Sequence, residues 1–191
     1  MHIFLIGMPG SGKTSFGKRL AKALDCPFVD LDARLAEAEA MPVAEIFRQK
    51  GETYFRHAES ETLKNTLSLP PSVVATGGGT PCFFDNMDWM NQHGATVFLD
   101  VPLDELARRL TATDEAQRKR PLFAGQSPEQ LAASLSQMHQ NRLPFYEKAR
   151  FRLLPSETKP AEVAARLGLP QPPPKEGAAP IPGPSPEGGR G

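Results

Sequence analysis

The sequence predicts an α/β fold: five parallel strands in one sheet, flanked by helices on both faces. Three observations lead there. Short apolar, β-branched runs alternate with helix-periodic segments, and a glycine-rich turn follows the first run at once. In addition, 39% of the 191 residues are hydrophobic against 23% charged, a balance that suits one buried core in an ordinary globular domain.

In chain order, His2–Ile6 is an apolar run suited to a buried strand, and residues 13–24 place Phe16, Leu20, Ala23 and Leu24 on one helical face. Residues 27–30 form a second strand candidate. Residues 32–39, 43–50 and 52–66 read as helices, with Gly51 a stop between the last two. Residues 72–76 are a short β-branched run ending at Gly77, Gly78 and Gly79. Residues 95–100 give a fourth strand, followed by a helix carrying Leu103, Leu106, Ala107 and Leu110. A polar stretch leads to Arg120 and Pro121, then to a long helix with Leu131, Leu135 and Met138. Residues 151–154 supply the fifth strand and 161–167 a last helix.

Residues 170–191 differ in kind, with eight Pro, five Gly and Ile181 as their one large apolar side chain. Such a stretch buries too little surface to offset its ordering entropy, so the reading is a folded domain over 1–169 and a disordered tail over 170–191. Lys plus Arg and Asp plus Glu are balanced at 22 each. No global field draws the chain to nucleic acid or an anionic membrane, and an anionic ligand must be held by a local cluster of cations. Cys26 and Cys82 stand apart, with no partner at metal-ligand spacing, and read as small apolar fillers. The first apolar run is too short for a signal-peptide core or a membrane span, so the expectation is a cytoplasmic protein.

Gly7 to Thr14, GMPGSGKT, fits G-x-x-x-x-G-K-[ST] between a strand and a helix. Glycines let the backbone curl so that successive N–H groups face phosphate oxygens, and the helix N-terminus adds its dipole. Lys13 supplies a mobile charge for the β- and γ-phosphates, and the Thr14 hydroxyl can ligate Mg²⁺. A dinucleotide site is the rival reading, since Gly10, Gly12 and Ser15 nearly match G-x-G-x-x-G/A and Asp30 lies where a ribose-binding acid would fall. The cation and the metal-binding hydroxyl favour a triphosphate.

A phosphate loop alone does not say what accepts the phosphoryl group. Asp30 and Asp32 close the second strand, where a parallel sheet faces its ligand crevice. Two carboxylates there suit a hydrated Mg²⁺ and an acceptor hydroxyl, while Asp32 also fits as N-cap of the helix that follows. Arg56 stands among Glu52, Glu59 and Glu61, as a surface ion-pair partner would. Three consecutive glycines at 77–79 imply close approach of the backbone to a bulge, a neighbouring helix or a ligand. Residues 111–124 have the polarity of a mobile lid carrying Arg120. Arg142, near the end of the long helix, suits the macrodipole there.

Together these residues resemble the shikimate kinases, within the nucleoside-monophosphate-kinase-like group. The resemblance covers about residues 1–168 and rests on GMPGSGKT (7–14), FVDLD (28–32), GETYFRHAE (51–59), VVATGGGT (73–80), RPLF (120–123) and NRLPFYEKA (141–149). It implies that Gly10, Ser11, Gly12, Lys13, Thr14 and Ser15 wrap the phosphates of ATP, with Thr14 and Asp30 at Mg²⁺. Asp32 would orient or deprotonate the attacking hydroxyl of shikimate. Arg56 and Arg142 would clamp its carboxylate, Gly77, Gly78 and Gly79 would donate backbone N–H groups, and Arg120 would close over the phosphates. Lys13, Asp32 and Arg120 are thus the expected catalytic residues. Three features depart from the family pattern or lack an anchor in it. The segment from Arg108 and Arg109 to Arg120 is one or two residues longer than usual, which leaves the adenine-facing arginine open between them. Phe123 replaces a common aliphatic, and Lys159 is placed near adenine by position alone. A kinase of the same group acting on gluconate or a nucleotide, and a nucleotide-binding module without catalysis, are the alternatives. A monomer is the default expectation, since no strongly apolar exposed surface can be inferred.

Overall fold

The computed structural model describes residues 1–112 and 125–169. β1 (His2–Ile6), β2 (Phe28–Asp30), β3 (Val73–Ala75), β4 (Gly94–Leu99) and β5 (Phe151–Leu153) pair in the order β2-β3-β1-β4-β5. Every pairing is parallel. β1 is the middle strand, with Ile3 opposite Val73 on one side and Ala95 on the other.

A central strand covered on both faces is mostly apolar, and β1 and β4 are buried throughout, with His2 and Thr96 as their polar members. Successive side chains go to opposite cores. Phe4, Ile6, Val74 and Phe98 join Leu63, Met90, Leu106, Leu135 and Tyr146 on one face. Ile3, Leu5, Val73, Val97 and Leu99 meet Phe16, Leu20, Val163 and Leu167 on the other. Each such side chain contributes about 1.5–3 kcal/mol on burial, so truncating Phe4 at the centre would cost about 3–5 kcal/mol.

Seven α-helices lie among the described residues: α1 (Lys13–Ala23), α2 (Leu31–Ala38), α3 (Val43–Lys64), α4 (Asn86–His93), α5 (Leu103–Thr111), α6 (Pro128–Tyr146) and α7 (Pro160–Arg166). The two helices expected on either side of Gly51 run on as α3, with Gly51 at φ 80° and ψ 170° forming a kink between them. A small third core of Leu35, Ile46 and Phe55 joins α2 to the first part of α3. α6 starts on a capping box, in which Ser127 Oγ accepts from the Gln130 N–H at 3.3 Å and Gln130 Oε1 accepts from the Ser127 N–H at 2.8 Å. Helix α4 has no counterpart in the sequence reading. Met87 and Met90 are buried at helical spacing, and Trp89 packs edge-on against Phe4 with centroids 5.9 Å apart; the other five residues of the octet are polar.

Because all strands run parallel, their C-terminal ends share one edge of the sheet. The phosphate loop leaves β1 there, Asp30 ends β2, and the triple glycine follows β3 by two residues. The Thr76 hydroxyl and its N–H both donate to Leu5 O, at 3.0 and 3.1 Å, and lock the start of the glycine run to the end of β1. Arg120, Phe123, most of the expected lid and the tail at 170–191 lie outside the described residues.

Candidate active site

The phosphate loop is built around glycines that other residues could replace only under strain. Gly10 and Gly12 adopt φ of 86° and 93°, a region costly for side chains bearing a β-carbon. The first turn of α1 holds no acidic residue, and no side chain caps it. Its leading N–H groups, with Thr14 and Ser15 among them, are left to meet an anion. Lys13 Nζ bends back over the loop, donating to Gly7 O at 2.9 Å and Met8 O at 3.0 Å. Ser11, buried within the loop, lies 3.4 Å from the same ammonium.

At the edge of this loop the Thr14 hydroxyl donates to Asp30 Oδ2 at 2.9 Å. The other Asp30 oxygen accepts from the Ala33 N–H at 3.3 Å, so Asp30 is the N-cap of α2. This corrects one of the two roles read for Asp32, which lies inside the first turn and is free of capping duty. Thr14 and Asp30 thus present one hydroxyl and one carboxylate side by side. Mg²⁺ prefers such hard oxygens and keeps waters and phosphates as its remaining ligands. Among the described residues no group of three or more His, Cys, Asp or Glu gathers as an all-protein metal cage. The donor set therefore fits a nucleotide-borne Mg²⁺.

Asp32 opens to solvent in the crevice beside the loop. Loss of hydration between the crevice walls, and then the negative charges of Glu59 and Asp30, push its carboxyl up to about 6, against the opposing pull of Lys13 and Arg56. A carboxyl near neutrality can hold or release a proton at physiological pH, as a general base needs to.

The three glycines explain how the remaining charges gather. None has a positive φ; what they lack is a β-carbon, and each gap is filled by a different partner. A β-carbon at Gly77 would stand 2.5 Å from Glu59 Oε1 and 3.0 Å from Asp32 Oδ1. At Gly78 it would stand 2.8 Å from Arg142 Nη1, 3.2 Å from Pro9 Cδ and 3.4 Å from Gly7 O. At Gly79 it would meet Arg56 Nη1 at 2.8 Å. Gly78 is thus the point at which the phosphate loop and an arginine of the acceptor side touch.

Arg56 is far from a surface ion-pair partner, with only 12% of its side chain exposed. Its Nη1 pairs with Glu59 Oε2 at 3.0 Å and its Nη2 with Glu52 Oε1 at 3.1 Å, while the guanidinium lies 4.1 Å over the Phe83 ring. Glu59 is itself buried and accepts a second hydrogen bond from the Thr80 hydroxyl at 2.5 Å. Arg56 and Arg142 line a cavity of about 640 Å³ together with Cys82, Phe83, Met138 and Phe145. Two guanidinium groups in a cavity that mixes such apolar walls with the polar side chains of Gln137 and Asn141 suit a small organic acid. Asp32 does not line this cavity and meets the constellation through Gly77.

The model of the family described as shikimate kinase matches residues 9–168. The chain belongs to the shikimate kinase family. A shikimate kinase from Phocaeicola vulgatus is 45% identical over 149 residues, 78% of this chain and 83% of that one. Among solved structures, shikimate kinase from Bacteroides thetaiotaomicron aligns with a TM-score of 0.83 at 36% identity, over 88% of this chain and 99% of that one. Shikimate kinase from Acinetobacter baumannii, solved in complex with shikimate, aligns with a TM-score of 0.74 at 30% identity, over 86% and 89%.

Within this shikimate kinase fold, Arg109 is the one of the two paired arginines that reaches the phosphate loop. Its Nη1 lies 3.4 Å from both Gly10 O and Ser11 O, and Glu105 Oε1 holds its Nε at 2.8 Å. Arg108 turns outward and donates to both Glu105 oxygens at 2.7 Å, with 70% of its side chain exposed. Lys159, at the start of α7, pairs with Glu162. Glu59, Thr80 and Tyr146 escaped the sequence reading as site residues. Glu59 stood there as one acid among several around Arg56, and Thr80 and Tyr146 only as members of the quoted motifs. The available signal was indirect: an arginine beside glycines needs a buried counter-ion.

Proposed function

We propose that this chain transfers the γ-phosphoryl group of ATP to the 3-hydroxyl of shikimate. The observation that carries this reading is Gly78, where the phosphate loop and Arg142 meet across one residue without a side chain. It brings a triphosphate cradle and a carboxylate clamp within reach of one transfer.

In this reading the loop N–H groups and Lys13 hold the β- and γ-phosphates, with Arg109 bracing the loop from α5. Arg56 and Arg142 take the carboxylate of shikimate, each able to match it bidentately. Asp32 accepts the proton of the attacking hydroxyl as the new O–P bond forms and the bond from the γ-phosphorus to the bridging oxygen breaks. Positioning and charge neutralisation supply most of the rate. Thr14 and Asp30 would hold Mg²⁺, which when bound neutralises charge on the phosphate oxygens. Arg120, on the lid expected at 111–124, would add charge as the lid closes. A monomer in the cytoplasm remains the proposed working unit.

A coupled ADP-release assay with MgATP tests the proposal, comparing shikimate with gluconate, a nucleoside monophosphate and no acceptor. Release that depends on shikimate alone is the expected result. Release with another acceptor overturns the substrate, and no acceptor-dependent release overturns the transfer.

A further inference from the structure

We infer that the Tyr146 hydroxyl is a positioning residue for the acceptor site, acting through the Gly78 carbonyl and Arg142. The inference rests on the shikimate reading above. Tyr146 is 0% exposed and its ring packs on Phe98 of β4, with centroids 5.0 Å apart. That contact anchors it to the middle of the sheet. From there its hydroxyl donates to Gly78 O at 2.6 Å, toward the short end of the range for O–H···O bonds.

Two consequences follow from chemistry. The peptide joining Gly78 to Gly79 is trans and planar, so its carbonyl and its N–H point in opposite directions. Fixing the carbonyl toward the core therefore turns the Gly79 N–H away from it, and a glycine run without side chains has little else to set that orientation. Arg142, one helical turn earlier on α6, also interacts with the Tyr146 hydroxyl, and Arg142 Nη1 is the atom that a β-carbon on Gly78 would strike. One buried hydroxyl thus holds both a backbone peptide and an arginine at the place where the phosphate loop meets the acceptor side. Burial raises the Tyr146 pKa well above the usual phenol range, with Arg142 partly opposing. The hydroxyl stays protonated and keeps donating.

Tyr146→Phe tests this, because it removes the hydroxyl and keeps the ring on Phe98. Wild-type ADP release with shikimate is measured first, so that failure of the substrate reading shows before any variant is made. The expected result for Tyr146→Phe is a rise of about tenfold in the KM for shikimate, the loss of one buried hydrogen bond, with the KM for ATP within twofold. Phe98→Leu is the control: it loosens the bed of the ring and leaves the hydroxyl, and is expected to lower Tm while sparing the KM for shikimate. An unchanged KM for shikimate in Tyr146→Phe overturns the inference, as does an equal rise for both substrates. A shikimate-selective rise in Phe98→Leu also overturns it, by assigning the effect to packing.

Discussion

Arg56 Nη1 lies 2.8 Å from the position a β-carbon on Gly79 would occupy, so the guanidinium fills the space of a missing side chain. The rest of Arg56 is fixed by Glu52, Glu59 and the Phe83 ring. Gly79→Ala must therefore displace the guanidinium or shift the chain. The expected cost is about 1–3 kcal/mol of stability, typical of overpacking, with a KM for shikimate raised more than the KM for ATP. Denaturant unfolding and steady-state kinetics check the two halves. A variant of full stability and normal KM would show that the contact is slack.

Asp30 performs two tasks with its two oxygens, and a substitution can separate them. Asn caps helices as well as Asp, so Asp30→Asn should leave stability within a few tenths of a kcal/mol. It removes the negative charge beside Thr14, and the Mg²⁺ concentration needed for half-maximal rate should rise. Asp30→Ala should show the same rise together with a loss of about 1 kcal/mol. Magnesium titration at fixed ATP and urea denaturation distinguish the variants.

The raised pKa of Asp32 gives a pH dependence of defined sign. The proposed base works ionised, so kcat/KM for shikimate should climb through a limb near pH 6, where its carboxyl titrates. Stability runs the other way. The folded-state pKa lies above the unfolded one, so the folded state binds more protons between the two values, and stability falls as pH rises through that window. Asp32→Asn should then lose about 10²–10⁴-fold in turnover and unfold no more easily at pH 7. Because water reaches the carboxylate, the gain in stability should be at most about 1 kcal/mol. A variant less stable than wild type at pH 7 would contradict this.

Of the charges that raise the Asp32 carboxyl, that of Glu59 acts most strongly. Glu59→Gln keeps the shape and an acceptor for Thr80 but removes that charge. The acidic limb of the rate profile should move to lower pH, while the KM for shikimate rises because Arg56 has lost its buried counter-ion. A pH–rate profile recorded at several shikimate concentrations measures both effects. An unmoved limb would detach Glu59 from the titration of Asp32.

The five strands and the phosphate loop were legible because each depends on local pattern: β-branched runs of buried length, and glycines where only glycine fits. A break at Gly51 was legible for the same reason, read as a stop between two helices and found as a kink within α3. Strand order was not, since β1 reads no differently whether its neighbours are β2 and β4 or β3 and β4. Helix α4 was missed because its three apolar anchors, Met87, Trp89 and Met90, fall within four residues of a short polar octet, too few to show a period. The site was readable as a set of residue types but not as an assembly. Nothing near Gly77, Gly78 and Gly79 in the sequence says that Glu59, Arg142 and Arg56 fill the three gaps. Those contacts join residues more than fifteen positions apart.

The placement of β1 at the centre of the sheet also bears on how the chain is completed during synthesis. Among the described residues β1 pairs only with β3 and β4, and β2 only with β3. No two strands can join until residue 73 has been made, and β1 stays open on one side until residue 94 follows. The first 72 residues, phosphate loop included, leave the ribosome as helices and unpaired strands, so the most apolar strand of the molecule waits longest for its neighbours.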